Sequence, residues 1–214
     1  METPRFITRR TAIIAAAGGV ATPFLARAQN TPLRYAFPEI GPDRGLEYTP
    51  SLACTHGTAE QGEGPFYNTA TPRRESLLEA GTAGEVLVLT GLVLTADCQP
   101  LRGAVLDFWH CDKNGVYDNS GFRFRGHQYT DENGCYRLET IRPGLYPRRT
   151  AHIHAKVQGP KTALLTTQIY FPDLPQANSF DHMYRDELLI LLRRAADGWH
   201  GRFDFVMPTA AGGA

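Results

Sequence analysis

From residue 85 onward the chain alternates short apolar runs with clusters of turn formers, which is the rhythm of strands. Residues 85–95 (EVLVLTGLVLT) crowd Leu and Val into one short run. Residues 104–111 (AVLDFWHC) set Val105, Asp107 and Trp109 against Ala104, Leu106 and Phe108, a period of two that sends successive side chains to opposite faces of a sheet. Lys113-Asn114-Gly115, Asp131-Glu132-Asn133-Gly134, Arg142-Pro143-Gly144 and Gln158-Gly159-Pro160 then punctuate runs at 123–130, 135–141, 151–157 and 164–171, each bounded as strands are. Only residues 186–195 (DELLILLRRA) read as helix, and 202–207 (RFDFVM) read as a last strand. The pattern predicts an all-β protein, a β-sandwich of short, mostly antiparallel strands with one short C-terminal helix.

The chain ahead of this region has a different character. Arg5, Arg9 and Arg10 precede a small apolar stretch, Ala12 to Ala21, and Leu25-Ala26-Arg27-Ala28 offers an A-x-A cleavage pattern. Residues 1–28 therefore read as an export signal. The Arg9-Arg10 pair before a weakly apolar Ala/Gly run points to the twin-arginine (Tat) route, although Thr11 follows it where a large apolar residue is usual. The expected address is periplasmic or secreted. Residues 29–53 carry Pro, Gly and charge without periodicity and read as an extended N-terminal arm, 54–208 as the folded domain, and 209–214 as a flexible tail.

Charge narrows the function classes. Among 214 residues, 22 Lys and Arg balance 22 Asp and Glu, so a nucleic-acid partner held by counterion release has no support. No stretch is long and apolar enough for a membrane span. Four cysteines, Cys54, Cys98, Cys111 and Cys135, in an exported chain lead us to expect two disulfides, and spacing does not choose among the three pairings. With no C-x-x-C, a cysteine zinc site is not expected.

The chemistry concentrates in residues 142–157, RPGLYPRRTAHIHAKV. His152 and His154 sit two apart on a predicted strand, so both imidazoles leave one face while Ile153 points to the other. Alone, H-x-H is a weak metal signal, shared by cupins, copper-zinc dismutases and zinc hydrolases. Tyrosines give it company: Tyr146 lies in the turn just before, and Tyr117 follows the strand ending at Cys111. With GEGPFY (62–67), GAVLDFWHCDKNGVYD (103–118), FRGHQYTDENGCYRLETIRPGLYP (124–147), RTAHIHAKV (149–157) and TTQIYFPD (166–173) in this order, the sequence resembles the intradiol ring-cleavage dioxygenases, the family of protocatechuate 3,4-dioxygenase and catechol 1,2-dioxygenase.

The resemblance implies a β-sandwich with one non-haem Fe(III) per active site, held by Tyr117, Tyr146, His152 and His154. Tyr146 would be the ligand that substrate displaces. Phenolate oxygens are hard anionic donors that suit the ferric state. Arg149 matches a family arginine beside the substrate ring, Gln168 a polar residue near the oxygen side, and Gly64, Pro65 and Phe66 a stretch lining the substrate pocket. The implied reaction opens a catechol (protocatechuate, catechol or a related phenolic) with O2 between its two hydroxyl-bearing carbons, giving a cis,cis-muconate. Only five residues separate Tyr146 from His152, fewer than in better-known members, which points to a more open rim. A homo-oligomer is compatible with this reading.

Two other readings stand beside it. Residues 89–109 also resemble transthyretin-like β-sandwich binding modules without catalytic metal, which have no reason to gather two Tyr and two His around one point. A zinc or copper enzyme built on the H-x-H pair would need a third His or a carboxylate nearby. Asp107 is a candidate for orienting a metal-binding side chain. His110 reads as a packed residue, and His56, His127, His182 and His200 as loop or turn residues. Tyr129, Tyr136 and Tyr170 fall on strands, where Tyr is common for packing.

Overall fold

The computed structural model describes Cys54 and residues 56–208. The expected export signal (1–28), arm (29–53) and tail (209–214) lie outside the described residues. Nine strands form two sheets: β1 (Val86–Leu94), β2 (Val105–Trp109), β3 (Arg125–Tyr129), β4 (Cys135–Ile141), β5 (His152–Gln158), β6 (Leu165–Tyr170), β7 (Leu191–Ala195), β8 (Gly198–Arg202) and β9 (Phe205–Val206). One sheet is ordered β3-β2-β5-β6 and is antiparallel throughout. The other is ordered β4-β1-β8-β7, with β9 also on β1, and its β1–β8 and β1–β9 pairings are parallel. Among the described residues the one α-helix, α1 (Pro175–Phe180), starts with Pro at its first turn, where the missing N–H costs nothing.

Period-two patterning explains how the four-stranded sheet works on both faces. Leu106 and Phe108 of β2, Ile153, Ala155 and Val157 of β5, and Leu165 and Ile169 of β6 enter the core between the sheets. The alternate residues turn the other way. Cross-strand partners share a face, so register lines up Arg125, Trp109, His154 and Gln168 in one row and His127, Asp107, Lys156 and Thr166 in the next. His152 pairs with Tyr170 beside them. This polar face is buried as well. The chain before β1 covers part of it: Gln61 N–H donates to the Thr166 carbonyl, and Arg74 N–H to the His127 carbonyl.

Four expectations need correction. Residues 186–195 form a 3-10 turn (Asp186–Leu188) followed by β7. Leu and Arg are good helix formers, but β7 pairs antiparallel with β8, Ala195 opposite Gly198, and the two-residue Ala196-Asp197 loop before Gly198 is a hairpin connection. Pairing outweighs local propensity. His127 and His200 lie on β3 and β8, not in loops. The 202–207 run splits between the end of β8 and β9. Among the described residues one disulfide is present, Cys54–Cys98, where two were expected. Cys111 and Cys135 are both buried and lie in separate clusters, the first packed with Trp109 and Tyr117, the second with Leu92 and Leu94, so the two do not meet. The Cys111 thiol points at the Gly144 carbonyl, and burial pushes it up to about 12.

His110 sets a pH dependence for the fold. Its ring nitrogens lie 2.7 Å from the Cys111 carbonyl and 2.7 Å from the Thr140 hydroxyl, and burial lowers it from 6.5 to about 4. Between those values the unfolded chain takes up a proton that the folded chain refuses, so this stabilisation is complete above 6.5 and lost as pH falls toward 4. The thermal midpoint is expected to fall across that interval. In His110→Gln the slope over the same interval should shrink, measured by melting curves at stepped pH.

Candidate metal centre and active site

Two turns bring the tyrosines to the histidines. Tyr117 follows a tight loop in which the Asp112 and Val116 backbones bond, and Tyr146 lies in the loop between β4 and β5. The loops touch through glycine. A Cβ on Gly144 would lie 2.3 Å from the Lys113 carbonyl oxygen, and one on Gly115, at φ +81°, would lie 2.2 Å from that of Leu145. Gly144→Ala should therefore push the tyrosine loops apart, costing about 1–3 kcal/mol and, where the four side chains hold a metal, weakening its retention. Urea denaturation with an iron titration of the same variant checks both.

The four side chains converge. His152 Nε2 lies 3.2 Å from His154 Nε2, and the Tyr146 hydroxyl is 3.5 Å from His152 Nε2. The Tyr117 ring stands edge-on to that of Tyr146, centroids 5.8 Å apart, and 6.3 Å from that of His154. His152 Nδ1 donates to the Thr150 carbonyl at 2.7 Å, which fixes the tautomer and leaves Nε2 a bare lone pair aimed inward. His154 stacks on Trp109 at 4.7 Å and 8°. Its Nδ1 and the Tyr117 hydroxyl are buried without a hydrogen-bond partner.

These features fit a metal ion. Two nitrogens each held about 2.1 Å from one ion would sit close to the observed separation. Burial raises both phenols and lowers both imidazoles, His152 to about 3, so without a cation all four groups are neutral. Two phenolates would offset two of three ferric charges, and a highly charged cation is what draws a buried phenol into its anion. Among the described residues no three His, Cys, Asp or Glu side chains gather as a ligand set, so the third-ligand requirement of a zinc or copper reading is not met.

Arg149 lies beside this cluster. Its Nη1 donates to the Tyr146 hydroxyl at 3.2 Å, its Nη2 to Gln168 Oε1, and its Nε to Asp181. Burial works against its charge, but Tyr146 and Asp181 outweigh that and hold its pKa above the ordinary value. Gln168 is fully buried and also donates to the Gly62 carbonyl at 2.8 Å. Phe66 stacks on Tyr117 at 4.4 Å. Gly64 and Pro65 are exposed beside it, and a Cβ on Gly64 would lie 3.6 Å from the His154 ring. All nine residues singled out from the sequence thus belong to one neighbourhood.

Asp107 reaches it at one remove. It accepts from the Tyr67 and Thr71 hydroxyls at 2.9 and 2.8 Å, Tyr67 tilts against Trp109 at 4.7 Å, and Trp109 backs His154. Other supports went unread. Lys156, the third polar residue on the His face of β5, is fully buried and pairs with Glu63, and the H-x-H-x-K alternation was a usable signal. Arg125 donates to the Asp118 carbonyl at 2.9 Å and to the Phe66 carbonyl at 2.5 Å, tying the Tyr117 and Phe66 segments together. No sequence signal marked Arg125 or Asp181, because each depends on which segments meet in space.

Fold and site together define a β-sandwich with a largely buried cluster of two tyrosines and two histidines on the outer face of its four-stranded sheet. A family model described as Dioxygenase matches residues 62–208, and the chain belongs to the intradiol ring-cleavage dioxygenase family. It is 30% identical over 157 residues to catechol 1,2-dioxygenase of Candida albicans, covering 59% of this chain and 52% of that protein. It is 27% identical over 161 residues to hydroxyquinol 1,2-dioxygenase of Corynebacterium glutamicum, covering 63% and 54%. The chain thus spans about half the length of these relatives. The solved dioxygenase domain of a dioxygenase carbohydrate-binding protein fusion from the cellulolytic bacterium Streptomyces sp. SirexAA-E aligns with TM-score 0.70 and 46% identity, over 72% of this chain and all of that one.

Proposed function

We propose that this protein is an Fe(III)-dependent intradiol dioxygenase that opens a catechol-type ring with O2 between the hydroxyl-bearing carbons, yielding a cis,cis-muconate. The observation that carries the proposal is the convergence of Tyr117, Tyr146, His152 and His154 on one buried point, with the two Nε2 atoms of the histidines 3.2 Å apart. A transthyretin-like binding module would not gather these four side chains. The domain we assign to the activity is 54–208. Export by the twin-arginine route, to the periplasm or outside the cell, fits the Arg9-Arg10 pair. The relatives named above act, by their names, on catechol and hydroxyquinol, two ring substrates of one chemical class, and a homo-oligomer is compatible with the proposal.

Tyr117, Tyr146, His152 and His154 would hold the ion. When bound, Fe(III) supplies a Lewis-acid template for the two catechol oxygens and makes the ring susceptible to O2. The rest of the work falls to the chain's own residues. Tyr146 is the more accessible phenol, and its Oη would be the oxygen placed to accept a catechol proton. Arg149 Nη1 already donates to that oxygen, so the side chain has a partner. The Arg149 cation lies where negative charge on the substrate ring would be stabilised. Phe66, stacked on Tyr117, walls the pocket and limits water, and Gly64 leaves room beside His154.

The test is a visible spectrum of the purified protein with iron determined on the same sample, before and after catechol is added without oxygen. Tyrosinate on Fe(III) gives a broad charge-transfer band, and bound catecholate moves it to longer wavelength. A protein that stays colourless after ferric reconstitution would refute the proposal and favour the metal-free binding module.

A further inference from the structure

We infer that Asp181 is a positioning residue that aims Arg149 at Tyr146. This rests on the reading of the site given above. The Asp181 side chain is fully buried, at the C-cap of α1, a segment with no other part in the site. Its carboxylate accepts Arg149 Nε at 3.1 and 2.9 Å, the Thr150 amide at 3.0 Å and the Met183 amide at 2.9 Å. Every donor but the last belongs to the short link between Tyr146 and His152.

The guanidinium is a planar fork, so fixing one edge fixes the others. With Nε on Asp181, Nη1 must face the Tyr146 hydroxyl and Nη2 must face Gln168, as observed. Of the partners that hold Arg149, Asp181 is the one that takes Nε and carries the opposite charge. The α1 segment supplies it: Asn178 accepts from the Thr150 hydroxyl at 2.6 Å and donates to the Phe171 carbonyl at 2.9 Å, so the platform carrying Asp181 is itself tied down. The carboxylate also offsets the cost of keeping a cation in a mostly buried place. Asp181 thereby keeps the Arg149 donor within reach of the Tyr146 oxygen.

Asp181→Asn removes the charge at nearly constant shape. A donor bond to a bound phenolate lowers the energy of the orbital that gives the charge-transfer band, so its loss moves the band to longer wavelength. We expect that shift in the ferric protein without substrate, normal iron content, and a kcat loss of about 10–100-fold, as supports behind a metal site typically show, with KM little changed. In an Arg149→Gln background, Asp181→Asn should move neither band nor kcat further, because both changes remove one interaction. Asp181→Ser, which keeps an acceptor for the amides, is the second variant should the first fail to fold. A wild-type band that is unmoved in both variants, with only the melting temperature lowered, overturns the proposal alone, as do additive effects in the double variant. A wild-type protein with no band overturns the reading of the site, and this inference with it.

Discussion

On the proposed ferric reading, His154→Ala is expected to strip most of the bound iron and abolish ring cleavage. His154 is held by more than the strand that bears it: Trp109 lies flat against one side, Gly64 against its edge, and its Nε2 faces that of His152. Alanine removes an inward donor that no neighbour can replace, since Gln168 on the next strand is engaged by Arg149, Tyr170 and Gly62. Two phenolates and one imidazole then remain for an ion of high charge. Outer-shell losses typically cost 10–100-fold in affinity, and losing a direct donor should cost more. The comparison is iron per protein and turnover, with circular dichroism to establish that the sandwich survives. Because Ile153 and Ala155 carry the core face of β5, the fold should persist. Normal iron with normal turnover would sink the ligand assignment.

The same alternation that keeps the fold separate from the site also made both legible. In β5, odd positions build the core and even positions carry His152, His154 and Lys156, so one period-two stretch stated the strand and the site-facing side together. The bounds of β4 could be read to the residue, since Asn133-Gly134 and Arg142-Pro143 close it on both sides. What could not be read is what depends on partners. Residues 191–195 become a strand because β8 lies beside them, and nothing in LLRRA says so. The Arg125-Trp109-His154-Gln168 row exists only after β3, β2, β5 and β6 take their order. Asp181 is 32 residues from Arg149 in sequence, and the turn that joins them has no motif. The second disulfide failed for a related reason: an even cysteine count carries no distance.

Arg149→Gln is expected to lower kcat by about 10²–10³-fold, the usual cost of removing a fixed donor aimed at developing charge, while iron content and the fold stay normal. Arg149 does not belong to the ligand set, so the metal should be retained. Its work lies in the cation held against Tyr146 and Gln168, and glutamine supplies hydrogen bonds without charge. Substrate affinity should fall far less than turnover if the charge matters chiefly as the ring becomes anionic, because an interaction that strengthens only toward the transition state appears in kcat. Arg149→Lys separates charge from shape. It restores a cation but cannot reach Asp181, Tyr146 and Gln168 at once, so it should recover only part of the loss. Steady-state kinetics on both variants, with the visible band recorded on each, decides the matter. A KM effect with kcat intact would make Arg149 a substrate-binding residue and remove it from the chemical step.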